Sequence, residues 1–440
     1  MGPQDGKPEG FRKFGFLGRP RMNYTKIASK LREQIFGFSG ELSRGFPKVV
    51  RRFVAEIVFG IQARGSVRLT EVGRALGEEI ALKKTEERLC RQLGRPWLEE
   101  AISRRIIHLA APRIHEDTLL MLDISDVSKK YAQKMEYLAR VRDGSEKELA
   151  NGYWTLNVIG TDSQGVNVIP LYGRLFSHTA PDHKSENEEI REAIRKIAEK
   201  TKGQGTWIMD RGGDRDQLFD YVLDNRHHFL IRLRADRGLE ANGQVRAALA
   251  LAQTCPTLFY ETMTKIEDGQ KRLLRLECGL RRVRLPGRAE VLTLVVVKGF
   301  GDEPLMMLTD LPLRRSRKSL WQVISYYLLR WRIEESIRFH KQSYDLEDIR
   351  LLTYTRLQNM MALVTAAAFC AAVYLGLRLR LRVLARHLLR ASKRLFGIPD
   401  FRLYALADGI RNLLYSQTKG LKTLLEKQPP APLQLLLFVT

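Results

Sequence analysis

The sequence predicts an α/β body flanked on each side by a helical, basic region. Three observations lead there. Between residues 116 and 239, short apolar runs alternate with helical periodicity. Before and after the body, apolar residues recur at three- and four-residue steps. The excess of Lys and Arg is confined to those two flanks.

The composition sets outer bounds. The chain has 440 residues, 44% hydrophobic and 28% charged, which excludes a wholly disordered or fibrous protein. The formal charge is +24, and such a field attracts polyanions. Nucleic acid is the first candidate and an anionic membrane surface the second. Residues 1–115 carry 23 basic and 12 acidic side chains, residues 350–440 carry 14 and 3, and residues 116–349 carry 37 and 35. Each flank is therefore +11 and the body only +2. Cys90, Cys255, Cys278 and Cys370 form no C-x-x-C pair, so a zinc ribbon or disulfide framework is not expected and the compartment reads as reducing. The polar N-terminus lacks the apolar core of a signal peptide. Residues 357–377 are uncharged and long enough to span a bilayer. Gln358, Asn359, Thr365 and the alanines favour a buried helix instead, and no membrane association is expected.

In chain order, Ile27, Leu31, Ile35 and Phe36 mark a first helix and residues 49–61 a second. Thr70 is the expected N-cap and Gly77 the stop of a third. Residues 83–93 make a fourth, with Arg88 and Arg91 on one face. The last two resemble a helix-turn-helix whose second helix could enter a DNA groove, although a solvated face has the same pattern. In the body, strands are expected at 119–123, 154–159, 166–171, 206–210 and 229–233. The turn 161–165 makes a hairpin, and helices fall at 185–200 and 217–224. Residues 240–315 read as a mostly β insertion, with runs at 273–276, 291–297 and 305–308. Helices return from Ser319.

Two expected strands end in acids, Asp123 and Asp210. Ligands gather at the carboxyl ends of strands in α/β sheets. Two carboxylates meeting there need a cation between them, and oxygen ligands suit Mg²⁺ or Mn²⁺. A lone acid at a strand end is also an ordinary turn cap. Two glycines after Asp210, in Asp210-Arg-Gly-Gly-Asp214, allow a close backbone approach. Asp126 rivals Asp123, which directly continues the apolar run. Downstream, Tyr327, Arg330, Glu334 and Lys341 fall at steps of three, four and seven within a segment free of Gly and Pro. One long helix would place all four on one stripe. Such a stripe makes sense if Glu334 binds a cation and the bases bind phosphates; a solvated charged face is the plain alternative.

The spacing Tyr-x2-Arg-x3-Glu-x6-Lys resembles the signature of DDE transposases of the insertion-sequence-four family, the Tn-five-like cut-and-paste group. Asp210-Arg-Gly-Gly-Asp214 and Asp123-Ile-Ser-Asp126 resemble the motifs around that family's other two acids. The resemblance covers Asp123 to Lys341. It implies an RNase H-like catalytic core with a β insertion and all-α N- and C-terminal regions. It also implies a metal triad of Asp123, Asp210 and Glu334 holding two Mg²⁺ ions, with Mn²⁺ able to substitute. Tyr327, Arg330 and Lys341 would grip the transposon end. Trp331 is similar to an aromatic that holds a flipped base, and Arg211, directly after the second acid, is a candidate DNA contact. Lys129 and Lys130 are further candidates for DNA phosphates, with solvation as the alternative. The implied activity is binding of terminal inverted repeats, metal-dependent cleavage, a hairpin intermediate and joining to target DNA. The implied partners are transposon-end and target DNA and a second copy of the chain in a synaptic homodimer. The implied location is the cytoplasm, at a prokaryotic nucleoid. The expected divisions are a DNA-binding region at 1–115, the core at 116–239 and 316–360, the insertion at 240–315, and a C-terminal region at 361–440. An RNase H-like nuclease, or a DNA-binding protein with a vestigial centre, are the alternatives. His178 and His183 lack metal spacing and read as surface residues.

Overall fold

The computed structural model describes residues 24–142, 148–267, 270–391 and 402–415. The N-terminal region is helical: α1 (Tyr24–Leu42), α2 (Lys48–Arg64), α3 (Leu69–Leu76), α4 (Leu82–Leu93) and α5 (Leu98–Ala110). Ile27, Leu31, Ile35, Phe38 and Leu42 of α1 are all buried, as their spacing requires. α2 is buried on nearly every side because α1, α3, α11 (Tyr354–Phe369) and α13 (Leu403–Tyr415) surround it. Gly77 ends α3 in the left-handed conformation, as expected. Thr70 is not the cap. The helix starts two residues earlier, with Arg68 at the N-cap and no side-chain cap bond.

The body is one mixed ten-stranded sheet. Its strands are β1 (Leu119–Ser128), β2 (Ala139–Arg142), β3 (Leu149–Thr161), β4 (Val168–Phe176), β5 (Thr206–Met209), β6 (His228–Arg232), β9 (Phe259–Glu267), β10 (Gln270–Val283), β11 (Leu292–Lys298) and β12 (Leu305–Thr309). A separate ribbon pairs β7 (Gly238–Ala241) with β8 (Gln244–Ala247). The sheet order is β2-β3-β1-β5-β6-β12-β11-β10-β9, with β4 also on β3. β1, β5 and β6 are mutually parallel; β1, β3 and β4 are antiparallel. α6 (Glu186–Thr201) and α7 (Asp216–Asp224) make the crossovers that parallel strands need. Ser185 caps α6 by accepting the Glu188 N–H at 3.2 Å.

Three expectations need revision. β1 does not stop at Asp123 but runs to Ser128, because β3 continues to pair with it to the end. The expected strand order lacks β2, which pairs with β3; beyond the parallel trio, β12 pairs antiparallel with β6 and carries β11, β10 and β9 outward. The expected single helix through Tyr327 and Lys341 is two, α9 (Arg317–Leu328) and α10 (Trp331–Ser343). At the junction, the N–H groups of Arg330, Arg332 and Ile333 reach only three residues back, at 2.9, 2.9 and 3.0 Å, a tightened turn that offsets the two helices.

The apolar segment from residue 354 to 374 is the one helix among the described residues long and apolar enough to cross a membrane, and 83% of an 18-residue apolar window within it is buried. It packs on β4, α5 and α2 and so joins the helical flank to the sheet. Gly173 on β4 makes that seat possible. A Cβ there would lie 2.2 Å from Thr365 Oγ1 on α11. Gly173→Val is therefore expected to cost at least 1–3 kcal/mol, roughly the penalty for overpacking a filled interior. Urea unfolding measures it, and an unchanged midpoint would show that α11 does not seat here.

Candidate active site

β1 and β5 pair in parallel from Leu119–Thr206 to Met121–Ile208 and then part. Asp123 lies just past the last paired residue of β1, and Asp210 directly follows β5. Both carboxylates therefore stand where the two parallel strands separate, at the carboxyl end of their paired stretch. α10 packs on β1 and β3 and brings Glu334 from the far end of the chain.

Each acid is held by local structure. Asp210 accepts the Gly212 N–H at 2.8 Å. A Cβ on Gly212 would meet Asp210 Oδ1 at 2.9 Å, so this glycine makes room for the carboxylate itself. Asp123 accepts the Ile124 N–H at 2.9 Å. Burial pushes its carboxyl up to about 7, and the charges of Asp210 and Glu334 push the same way, against the pull of Arg330. Arg330 stands at the α9–α10 junction. Its Nη1 is 3.5 Å from Asp123 Oδ2, and its Nη2 donates to Glu334.

Asp126 and Asp214 belong elsewhere. Asp126 is buried and pairs with Lys341 Nζ at 3.2 Å. Asp214 is buried against Arg237 Nε at 2.5 Å and accepts the Arg234 N–H at 2.6 Å. It clamps the loop after β6 and takes no part in the acid cluster.

The basic and aromatic residues divide. Tyr327, on the last turn of α9, is 7% exposed, and burial raises its phenol. Its hydroxyl lies beside Arg232 at the end of β6, a residue sequence reading passed over. The signal was available: Arg232 ends the third parallel strand, at the same edge as the acids. Trp331 is half exposed beside Arg330, and Arg211 is exposed beside Asp210. Lys341 is held by Asp126 and by Glu347 at 2.9 Å. Lys129 donates to the carbonyls of Glu347 and Ile349, and burial lowers its ammonium to about 8. Lys130 is exposed.

On α4, Arg91 faces solvent. Arg88 turns inward to the fully buried Glu56 and to Glu78, so the two do not share a free face. His183 is not a surface residue either; it stacks on Phe176 at 5.6 Å, with His178 at 4.9 Å.

The acids outnumber the one guanidinium that faces them, so a divalent cation in its place would help to offset the charge. The donors are hard carboxylate oxygens, which fit such an ion. Among the described residues, no three His, Cys, Asp or Glu side chains are drawn close enough to hold a metal as they stand. Arg330 occupies the position between two of the acids.

Two outcomes follow. A carboxyl raised from its ordinary 3.8 to about 7 stabilises the fold below pH 4 and loses that contribution as pH rises through 7. In EDTA at pH 8, Asp123→Asn should be more stable than wild type by on the order of 1–4 kcal/mol, with the gain shrinking toward pH 4. Equal melting at pH 8 would contradict this. Arg88→Ala should lower stability by roughly 1–3 kcal/mol, because buried Glu56 loses one of its two arginine partners and keeps Arg52. Arg91→Ala should leave melting unchanged and weaken DNA retention. The reverse pattern in paired melting and DNA-binding measurements would invert these assignments.

Residues 174–370 match the family described as transposase DDE domain. The match covers somewhat less than half of the chain and includes Asp210, Tyr327, Arg330, Glu334 and Lys341, while Asp123 lies upstream. Among solved structures, the chain is similar to a cryo-EM structure of the piggyBac transposase synaptic complex with hairpin DNA. The identity is 12% and the TM-score 0.44, over 92% of this chain and 81% of that one. No curated protein sequence matches. The domain match supports a DDE transposase.

Proposed function

We propose that the protein is a cut-and-paste DNA transposase that binds the terminal inverted repeats of an insertion sequence, cleaves them and joins them to target DNA. The observation that carries this reading is the meeting of Asp123, Asp210 and Glu334, from β1, β5 and α10, at one edge of the sheet. The order β4-β3-β1-β5-β6, with only the last three parallel, supports an RNase H-like core. The insertion-sequence-four affiliation rests on the Tyr327, Arg330, Glu334, Lys341 spacing.

Asp123, Asp210 and Glu334 would hold the Mg²⁺ ions. Bound there, such ions activate water and stabilise charge at a phosphodiester. The remaining work falls to this chain's side chains. Arg330, Arg232 and Lys341 bind phosphates beside the cut bond, and Tyr327 positions Arg232. Trp331 offers an exposed ring on which an unstacked base can rest, as a hairpin requires. Tyr327 is not assigned as a nucleophile, because this chemistry needs no covalent protein–DNA intermediate. Two copies would pair the two ends, and the basic regions before residue 116 and after residue 360 would grip the duplex.

Glu334→Gln tests the reading. On DNA carrying the inverted repeats that flank the coding region, the variant should bind within about twofold of wild type and lose at least about 10³-fold in Mg²⁺-dependent cleavage, the scale of a lost catalytic group. Parallel loss of binding and cleavage would remove Glu334 from the metal. Binding by wild type without any nicking would leave a DNA-binding protein only.

A further inference from the structure

Resting on that reading, we propose that Arg330 is a built-in counter-ion that keeps the acid cluster closed to metal until DNA draws its guanidinium away. The geometry is specific. The Arg330 fork reaches Asp123 with one nitrogen and Glu334 with the other. These two acids come from β1 and α10, so the guanidinium ties the sheet to the helix that carries the last acid. The oxygens that accept its N–H donors are among those a divalent cation would need. A bound cation and the guanidinium would also repel each other at close range. One of them must leave.

The position of Arg330 permits the exchange. It lies at the tightened junction between α9 and α10, with its side chain 15% exposed. Trp331 beside it is open to solvent. A DNA phosphate arriving here offers the guanidinium a second two-oxygen partner, for which an arginine fork is well shaped. Release onto the phosphate uncovers Asp123 and Glu334 together. DNA and metal then bind with positive coupling, and by reciprocity metal tightens DNA binding. Free protein would hold little metal and cut little DNA at random.

The test is Mn²⁺ binding to the full-length, DNA-free protein, followed by electron paramagnetic resonance. Arg330→Gln should bind Mn²⁺ about tenfold more tightly than wild type, a typical allosteric coupling. Arg330→Lys, which keeps the charge but not the fork, should fall between and guards against a folding defect in the first variant. Adding a mixed-sequence DNA duplex should tighten Mn²⁺ binding by wild type and change Arg330→Gln little. Equal Mn²⁺ affinity of wild type and Arg330→Gln without DNA would overturn the latch and leave the metal site standing. Failure of every form to bind Mn²⁺, with or without DNA, would overturn both.

Discussion

Asp123, buried within reach of the charges of Asp210 and Glu334, sets the constraint on which the surrounding structure depends. Asp123 shows the cost: its carboxyl is driven up to about 7 by burial and by its two acidic neighbours. Nothing in folding alone rewards that arrangement. The parallel pairing of β1 with β5 fixes two of the acids, and the seat of α10 on β1 and β3 fixes the third. Arg330 supplies the only side-chain cation seen bridging two of them among the described residues.

The rest of the molecule braces this corner. The β6–β12 pairing hangs four more strands beyond the parallel trio without disturbing its carboxyl edge. Asp214 and Arg237 pin the loop that leaves β6, which keeps the end of that strand and Arg232 in place. On the other side, the buried helix α11 joins the sheet to α2 and α5. The N-terminal helices are thus packed against the same framework as the acids, which fixes their offset from the site.

Much of this was legible in the sequence because it rests on local rules. The strand and helix order of the body follows from periodicity except for the short β2, and Ser185 and Gly77 mark helix ends by chemistry that needs no partner. Two of the acids stand out in the sequence because they follow apolar runs, and the third because it sits in an ordered spacing. What escaped depends on partners far along the chain. The extension of β1 past Asp123 is decided by β3, not by its own residues. Arg88 reads as a groove-facing base until the buried Glu56 is seen opposite it. Asp126 and Asp214 look as catalytic as their neighbours until Lys341 and Arg237 are placed against them. The break between α9 and α10 has no Gly or Pro to announce it.

The central claim is that Asp123, Asp210 and Glu334 form one divalent-cation site. Fe²⁺-directed backbone cleavage measures this most directly, because radicals made at a bound iron cut the chain only nearby. Loaded with Fe²⁺ in the presence of DNA and treated with ascorbate and peroxide, the protein should break around residues 123, 210 and 334. Excess Mg²⁺ should suppress the cuts. Cuts elsewhere, or an identical pattern in Glu334→Gln, would contradict the account.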